Sequence, residues 1–272
     1  MWELFGYKFF QYALIAALLG GASLGIVGVW VVLIGIPFIG VALSHAAFAG
    51  GVVGMLLGIN PVFMAFVFSL IASLSIGPLS ERSRIEPNIS IGIIFSLVLG
   101  IAFLGIGFMK GSRNEAFSLI WGSILTLSRW DILMITVFFF FVLLFLLKFN
   151  MEIKAIIYNK KVAHVAGIPV SRIFYLLLFV TGFTVTVNLN TVGGLLIFSL
   201  LINPSSAASL IAKRIEQMYL LSALFGVVSC VCGLLVSALF NVPSGSVIII
   251  VSSVIFLVTF LLNRRRIAEK RV

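Results

Sequence analysis

The sequence predicts an all-α polytopic membrane protein, and three features of its composition and pattern lead to that fold class. Hydrophobic residues make up 62% of the 272 residues and charged residues only 10%, and the mean hydropathy is +1.27. Soluble domains carry about 25% charged residues and do not string apolar segments together from end to end. Residues 135–147 are an almost unbroken apolar run, which is typical of a membrane helix and not of a strand with alternating hydrophobicity.

The first predicted span lies near the amino terminus and is distinguished from a cleaved signal peptide by its length. Ala22 and Ser23 resemble a small-residue cleavage site, but the apolar run continues through residues 27–36. That run is too long for the apolar region of a signal peptide. We therefore expect residues 13–34 to remain in the protein as a membrane helix.

Apolar runs predict eight or nine membrane helices in a single membrane domain that occupies residues 1–272. No shift of composition and no low-complexity linker marks a second domain. Most runs approach the roughly 20 residues that a helix needs to cross the hydrocarbon layer. In order, the predicted spans are residues 13–34, 42–58, 62–77, 89–109, 132–147, 173–187, 192–202, 218–240 and 246–262.

Two short segments are predicted to be broken or re-entrant helices. Residues 117–127 are too few to cross the membrane alone, and residues 192–202 form a short run between helix-breaking residues. Such helices are tolerated at membrane depth only where protein or a water-filled path surrounds them, which predicts a transport pathway. The predicted pathway breaks are Gly193, Gly194, Asn203 and Pro204.

The distribution of Lys and Arg predicts the orientation in the membrane. The formal net charge of +10 reflects the excess of basic residues in cytoplasmic connections and does not indicate a nucleic-acid partner. Basic residues concentrate in the connection 148–172 and in the tail 263–272, with smaller clusters at residues 82–84 and 213–214. The carboxyl end is therefore predicted to be cytoplasmic, and nine spans would place the amino terminus outside.

His45 is the only ionisable side chain within a predicted span, because every Asp and Glu falls in a connection or at a span end. The lack of an intramembrane carboxylate disfavours a proton- or sodium-driven carrier. Two interpretations of His45 remain open. The imidazole packs in neutral form against a backbone carbonyl between close helices, or it is a metal ligand or gate on a permeation path. His164 lies in a basic connection, where we expect a solvated side chain or a contact.

The sequence argues against an enzyme. It contains no Gly-Lys-Ser or Gly-Lys-Thr phosphate-binding loop, so the chain is not expected to bind ATP by that route. Neither His has a nucleophile or a carboxylate nearby in a catalytic arrangement, so we expect no catalytic residues and no bound cofactor. Cys230 and Cys232 are two residues apart and should face different sides of a helix, as packing residues.

The connection 159–173 has an apolar spacing of its own that predicts a short cytoplasmic helix. Gly167 is the expected helix stop, and Pro169 follows it. A short helix with small side chains suits docking in the groove of another protein, although it could equally lie on the membrane surface. The apolar positions are Val162, Ala163, Val165 and Ala166.

Five segments in order resemble the membrane subunits of the metal-type ABC importer family, ABC-3, which serve manganese, zinc and iron uptake in bacteria. They include PFIGVALSHAAFAGGVVG around His45, VAHVAGIPV in the connection above, and TVGGLLIFSLLINPSSAA around Pro204. The similarity covers nearly the whole chain. In full, the five segments are residues 37–54, 82–96, 119–131, 162–170 and 191–208.

The resemblance implies a permease that works by alternating access in the bacterial inner membrane as a homodimer or heterodimer. Cytoplasmic ABC ATPase subunits would use ATP to drive it, and an extracytoplasmic metal-binding protein would deliver the ion. It also implies that His45 lines the metal path and that residues 159–170 form the helix that couples the permease to the ATPase. The coupling residues would be Val162, Ala163, Ala166 and Gly167.

The chain departs from the family pattern at the position four residues before His45. The family has an Asp there, and this chain has Val41; two further departures are Ala49 and Ser123. Loss of a hard carboxylate ligand favours zinc as the transported ion, with manganese and iron as alternatives, or a gate without stable coordination. A permease for metal chelates or cobalamin-like cofactors and an ATP-independent carrier are the competing functions; the length of the chain and its coupling-type segment disfavour them.

Overall fold

The structure, a computed structural model, describes residues 7–83, 85–109 and 127–269, and every regular element in these ranges is an α-helix. Eight of the described helices are long and apolar enough to span a membrane, which confirms a multi-pass helical membrane protein. The helices are α1 Lys8–Ile34, α2 Ile39–Leu57, α3 Pro61–Ser83, α4 Pro87–Phe108, α5 Arg129–Lys148, α6 Asn150–Tyr158, α7 Lys160–Val165, α8 Val170–Val192, α9 Gly194–Ile211, α10 Ile215–Phe240 and α11 Ser244–Glu269.

Local residue chemistry sets several of the helix ends. Gly35 and Gly58 end α1 and α2 with φ of +81° and +67°, a left-handed conformation that glycine adopts without strain. The Asn60 side chain starts α3 by accepting hydrogen bonds from the backbone N–H groups of the residues two and three positions later. Ser128 and Asp131 form a reciprocal capping box at the start of α5.

Side-chain hydrogen bonds show how the helices run relative to α1. Asn88, at the start of α4, donates to the carbonyl of Gly35 at the end of α1 over 2.9 Å. Arg129, at the start of α5, donates to the Tyr12 hydroxyl near the start of α1 over 3.1 Å. The helix α4 therefore runs antiparallel to α1, and α5 runs parallel to it. The basic connections before α4 and after α5 consequently lie at the same end of the bundle.

Glycines let α1 and α10 approach at backbone contact. A Cβ atom added to Gly21 would lie 2.7 Å from the carbonyl oxygen of Gly226, and one added to Gly25 would lie 2.5 Å from that of Ser222. The Ser222 hydroxyl donates to the Gly25 carbonyl over 2.6 Å, so a polar bond accompanies the close contact. Small residues of this kind stabilise helix pairs in membranes through packing, because lipid gives no hydrophobic drive for helices to associate.

The helix in the predicted span 192–202 is longer than expected. The helix α9 begins at Gly194 after a break at Gly193, whose φ is +86°, and it continues through Asn203 and Pro204 to Ile211. The predicted helix end at Asn203 and Pro204 is therefore wrong. Proline removes a single helical hydrogen bond, and inside a bundle the neighbouring helices and polar side chains keep the turn helical. The other short segment, residues 117–127, lies outside the described residues except for its last position.

We expect Gly25→Ala to destabilise the permease by about 1–3 kcal/mol, because the new methyl group overpacks the contact with α10. Gly100→Ala in α4 is the matched control, since a Cβ atom there meets nothing within 4 Å. Thermal unfolding of the purified protein in detergent measures both changes. Equal melting temperatures for the two variants would contradict the close α1–α10 contact.

Candidate functional site

His45 lies six residues from the start of α2 and is half-buried, whereas its neighbours Ser44 and Ala46 are buried. The helix α2 can pack closely there because its side chains are small. Gly50, on the same helix, would place an added Cβ atom only 2.3 Å from the Met64 carbonyl oxygen of α3. The sequence thus folds α2 into the interior of the bundle with one imidazole left on a partly open face.

The hydrogen bond of His45 identifies which ring nitrogen is free. Its Nδ1 atom lies 2.9 Å from the backbone carbonyl oxygen of Val41, one turn earlier. A carbonyl only accepts, so Nδ1 carries the proton and Nε2 of the neutral ring keeps its lone pair. The ring also makes an edge-to-face contact with Phe95 of α4, with 5.1 Å between centroids. Both contacts fix the ring and leave Nε2 as the atom that can bind a metal ion.

His45 belongs to no cluster of three or more of the usual metal-ligating side chains in the described part of the chain. No cluster of three or more His, Cys, Asp and Glu residues that could hold a metal ion occurs among the described residues. Val41, on the same face of α2, contributes only the carbonyl that already accepts from the ring. The described His, Cys, Asp and Glu side chains therefore do not complete a metal site around His45, and further ligands such as backbone carbonyls, the Ser44 hydroxyl or groups of a second copy of the chain would be needed.

The helix that holds the predicted pathway breaks packs against the His45 helix. Phe198 of α9 stacks on Phe38 at the start of α2, with 6.3 Å between ring centroids. Gly40 of α2 faces the Leu201 side chain of α9, at 2.8 Å from an added Cβ atom. Asn203, by contrast, points its amide at hydroxyl groups of α11. The structure thus joins α9 to α2 but directs Asn203 to the opposite neighbour.

The connection 159–173 contains the predicted short helix, which is α7. Asn159 caps it by accepting from the backbone N–H groups of Lys161 and Val162 over 2.9 and 3.2 Å. Gly167 follows the helix with φ of +83°, as its predicted role as a helix stop requires. The cap and the glycine stop together restrict α7 to less than two turns.

One of the four predicted coupling residues faces the wrong way for docking. Ala163 is 2% exposed and belongs to the core, whereas Val162 is 58% exposed and Val165 is 88% exposed. Ala166 and Gly167 are exposed as well. Residues on one turn of a helix necessarily point in different directions, and the inward position falls on Ala163. Among the apolar and small residues of this segment, Val162, Val165, Ala166 and Gly167 are therefore the exposed ones.

Sequence reasoning missed the helix α6, which precedes α7 in the same connection. Its Ile153 and Ile156 are buried, and this spacing of three residues was the available signal. Lys154 of α6 forms an ion pair with Glu216 at the start of α10. The connection is therefore a folded unit that is tied to the bundle at two places, rather than a loop.

Comparison with known proteins decides the family. The family model described as the ABC 3 transport family matches residues 6–263. The chain belongs to the ABC 3 transport family. This membership confirms the resemblance drawn from the five sequence segments, and the matched residues include both the His45 helix and the folded connection that contains α6 and α7.

Two curated relatives and one solved structure place the chain within the ABC 3 transport family. The manganese transport system membrane protein MntC of Halalkalibacterium halodurans is 31% identical over 264 residues, with 97% of this chain and 90% of the relative covered. The manganese import system permease protein ScaB of Streptococcus gordonii is 33% identical over 265 residues, with 97% and 95% covered. The structure of PsaBC from Streptococcus pneumoniae in complex with Fab matches with a TM-score of 0.82 and 31% identity, over 93% of this chain and 91% of that one.

We expect Ala163→Trp to destabilise the permease alone, by about 1–3 kcal/mol, because the indole cannot fit at a buried position. Val165→Trp, two residues later on the exposed side, should change the free energy of unfolding by about 0.5 kcal/mol or less. Detergent unfolding curves of the two variants without any partner protein make the comparison. If Ala163→Trp unfolds like the wild type, this residue does not face the core.

Proposed function

We propose that the chain is the membrane-spanning permease subunit of an ATP-driven importer of divalent transition-metal ions. The observation that carries the proposal is a lone half-buried imidazole with a free Nε2 atom, on an inner helix of an ABC 3 family chain. The two relatives named for manganese transport support a metal ion as the cargo. The chain itself holds no catalytic residues in this proposal and moves the ion by alternating access.

The partners follow from what the chain lacks. It has no phosphate-binding loop, so cytoplasmic ABC ATPase subunits supply the ATP hydrolysis. One His45 is too few ligands for a metal ion, so a second permease copy, identical or related, presents its own imidazole across the dimer axis. An extracytoplasmic metal-binding protein delivers the ion. The basic connections, which include α6 and α7, and the carboxyl end face the cytoplasm of a bacterial inner membrane.

The identity of the metal rests on two observations that point in different directions. Val41 gives no carboxylate beside His45, and imidazole-only sites suit zinc better than manganese. The relatives named above are both named for manganese. We propose zinc from the side chains of this chain, with manganese as the second candidate that the relatives favour.

His45→Ala should abolish metal uptake, because it removes the only intramembrane nitrogen ligand in the described residues. Membrane insertion and ATPase co-purification should be unchanged. Ser44→Ala is the matched control, since the adjacent Ser44 hydroxyl bonds only to the Gly40 carbonyl of its own helix. Uptake of zinc and manganese into proteoliposomes that contain the whole transporter measures the effect. Wild-type uptake by His45→Ala would contradict a role in metal binding and would indicate that His45 only packs between helices.

Val41→Asp should increase manganese transport relative to zinc, because it adds a hard ligand one turn from the imidazole. Val41→Asn, which has nearly the same shape without the charge, should shift the ratio much less. Competitive uptake of both metals by the reconstituted transporter gives the ratio directly. A wild-type protein that already prefers manganese strongly contradicts the zinc assignment and leaves the permease assignment intact.

Val165→Trp should weaken assembly with the ATPase about ten- to a hundredfold, because bulk on the exposed side of α7 overpacks a groove by roughly 1–3 kcal/mol. The same variant leaves the permease fold intact, which separates docking from folding. Single cysteines at positions 160–168 should crosslink to the ATPase at 162, 165 and 166 but not at the buried 163. A scan without any crosslink, together with normal transport by Val165→Trp, would make α7 a surface helix without a coupling role.

A further inference from the structure

Four polar side chains meet between α9 and α11 within the membrane-spanning part of the bundle. The Asn203 Nδ2 atom lies 3.0 Å from Ser199 Oγ, 3.1 Å from Ser252 Oγ and 3.0 Å from Ser253 Oγ. Ser199 Oγ and Ser252 Oγ are 2.8 Å apart, and both of these side chains are buried. We name these four residues the Asn203 cluster. Elsewhere on α9 and α11, described hydroxyl groups such as Ser209 and Thr259 bond to carbonyls of their own helix.

The hydroxyl protons of the Asn203 cluster can be assigned by elimination. The Ser252 and Ser253 hydroxyls each donate their single proton to the Ile249 carbonyl, over 2.9 and 2.8 Å. Both oxygens therefore face Asn203 as acceptors, and the Ser199 proton bridges to Ser252. The amide group of Asn203 is then the donor on which the cluster depends. If the amide oxygen and nitrogen of Asn203 were exchanged, the oxygen would face three hydroxyl oxygens. None of these hydroxyl groups would have a proton left to donate to it.

The helix that the cluster holds is the one that supports the His45 helix. On its other sides α9 stacks Phe198 on Phe38 of α2 and presses its backbone against α1, where a Cβ atom added to Gly28 would lie 1.9 Å from the Leu201 carbonyl oxygen. The helix α11 is mostly exposed at the periphery of the bundle, with 17% of its span buried. A peripheral helix with so little buried surface depends on specific contacts for its position.

We propose that Asn203 is a positioning residue that clamps α11 to α9 by directing its two amide protons at the hydroxyl oxygens of Ser199, Ser252 and Ser253, one proton being shared between two of these oxygens. The clamp holds the outer side of α9 and so maintains the packing of α9 against α2. The effect of this clamp on transport rests on the proposed function, whereas its effect on the stability of the bundle does not. A cluster of hydroxyl oxygens could also bind a monovalent cation. Unfolding measured with and without sodium distinguishes a cation site from the clamp.

Substitution of Asn203 by Asp and by Leu tests the direction of the hydrogen bonds. A carboxyl group has the same shape as the amide, but it brings no donor when it is ionised and only one when it is protonated, and a buried ionised group is costly. Asn203→Asp should therefore destabilise the permease more than Asn203→Leu does when both are measured at a pH above the pKa of the new carboxyl group. Loss of one interhelical polar contact in a membrane protein lowers the ratio of folded to unfolded protein roughly threefold, so Ser252→Ala should lower it by at least that factor. Ser209→Ala is the matched control on α9, because its exposed hydroxyl bonds only to Ser206. It should leave the ratio unchanged.

The measurement is chemical or thermal unfolding of the permease alone in detergent, with and without sodium, so no outcome depends on metal transport or on the ATPase. The effects of Asn203→Leu and Ser252→Ala should be non-additive in the double variant, because they remove the same contact. Asn203→Asp that is as stable as the wild type, or additive effects of the two single variants, would overturn the clamp. Sodium-dependent stabilisation of Asn203→Asp above the wild type would also overturn it, in favour of a cation site. If Asn203→Asp does not insert, the double-variant comparison decides alone.

Discussion

The structure depends on one constraint, which is that a polar group inside the bilayer must find its partner within the protein. Most described hydroxyl groups meet it locally by donating to a carbonyl three or four residues earlier, as Thr184 does with Val180. A few bonds cross between helices instead, such as Trp30 to Thr181 and Ser222 to Gly25. These crossing bonds join α1 to α8 and to α10, and small residues bring the backbones of α1 and α10 together. They tie the apolar helices into one specific bundle.

Only one of the two ring nitrogens of His45 has a hydrogen-bond partner among the described residues. The Val41 carbonyl accepts the Nδ1 proton, and Phe95 supports the ring from α4. The described residues supply no partner for the other nitrogen, Nε2, although the ring is held in place. This arrangement is expected of a side chain that binds a transported ion. The His45 helix is connected to the rest of the fold, because α9 packs on α2 and itself contacts α1 and α11. Changes in the packing of α9 would therefore reach His45.

The sequence was sufficient for the features that depend on composition and on local chemistry. Apolar runs predicted the membrane helices, and Gly167 predicted the end of α7, because each signal is contained in adjacent residues. The features it missed depend on tertiary packing. Pro204 does not end α9, since neighbouring helices keep the turn helical. Ala163 faces inward, since it is buried in the hydrophobic core of the whole bundle. The tautomer of His45 could not be predicted from the sequence either, because it depends on the ring rotamer in the folded helix.

The proposed transport function requires that the Nε2 atom of His45 bind the transported ion. X-ray absorption at the metal edge, on the assembled transporter trapped with zinc or manganese inside the permease, tests it directly. The account predicts the outer-shell scattering of imidazole in the wild type and its loss in His45→Ala, with metal retention reduced at the same time. A bound metal that shows only oxygen ligands in the wild type, or an unchanged spectrum in His45→Ala, would contradict it.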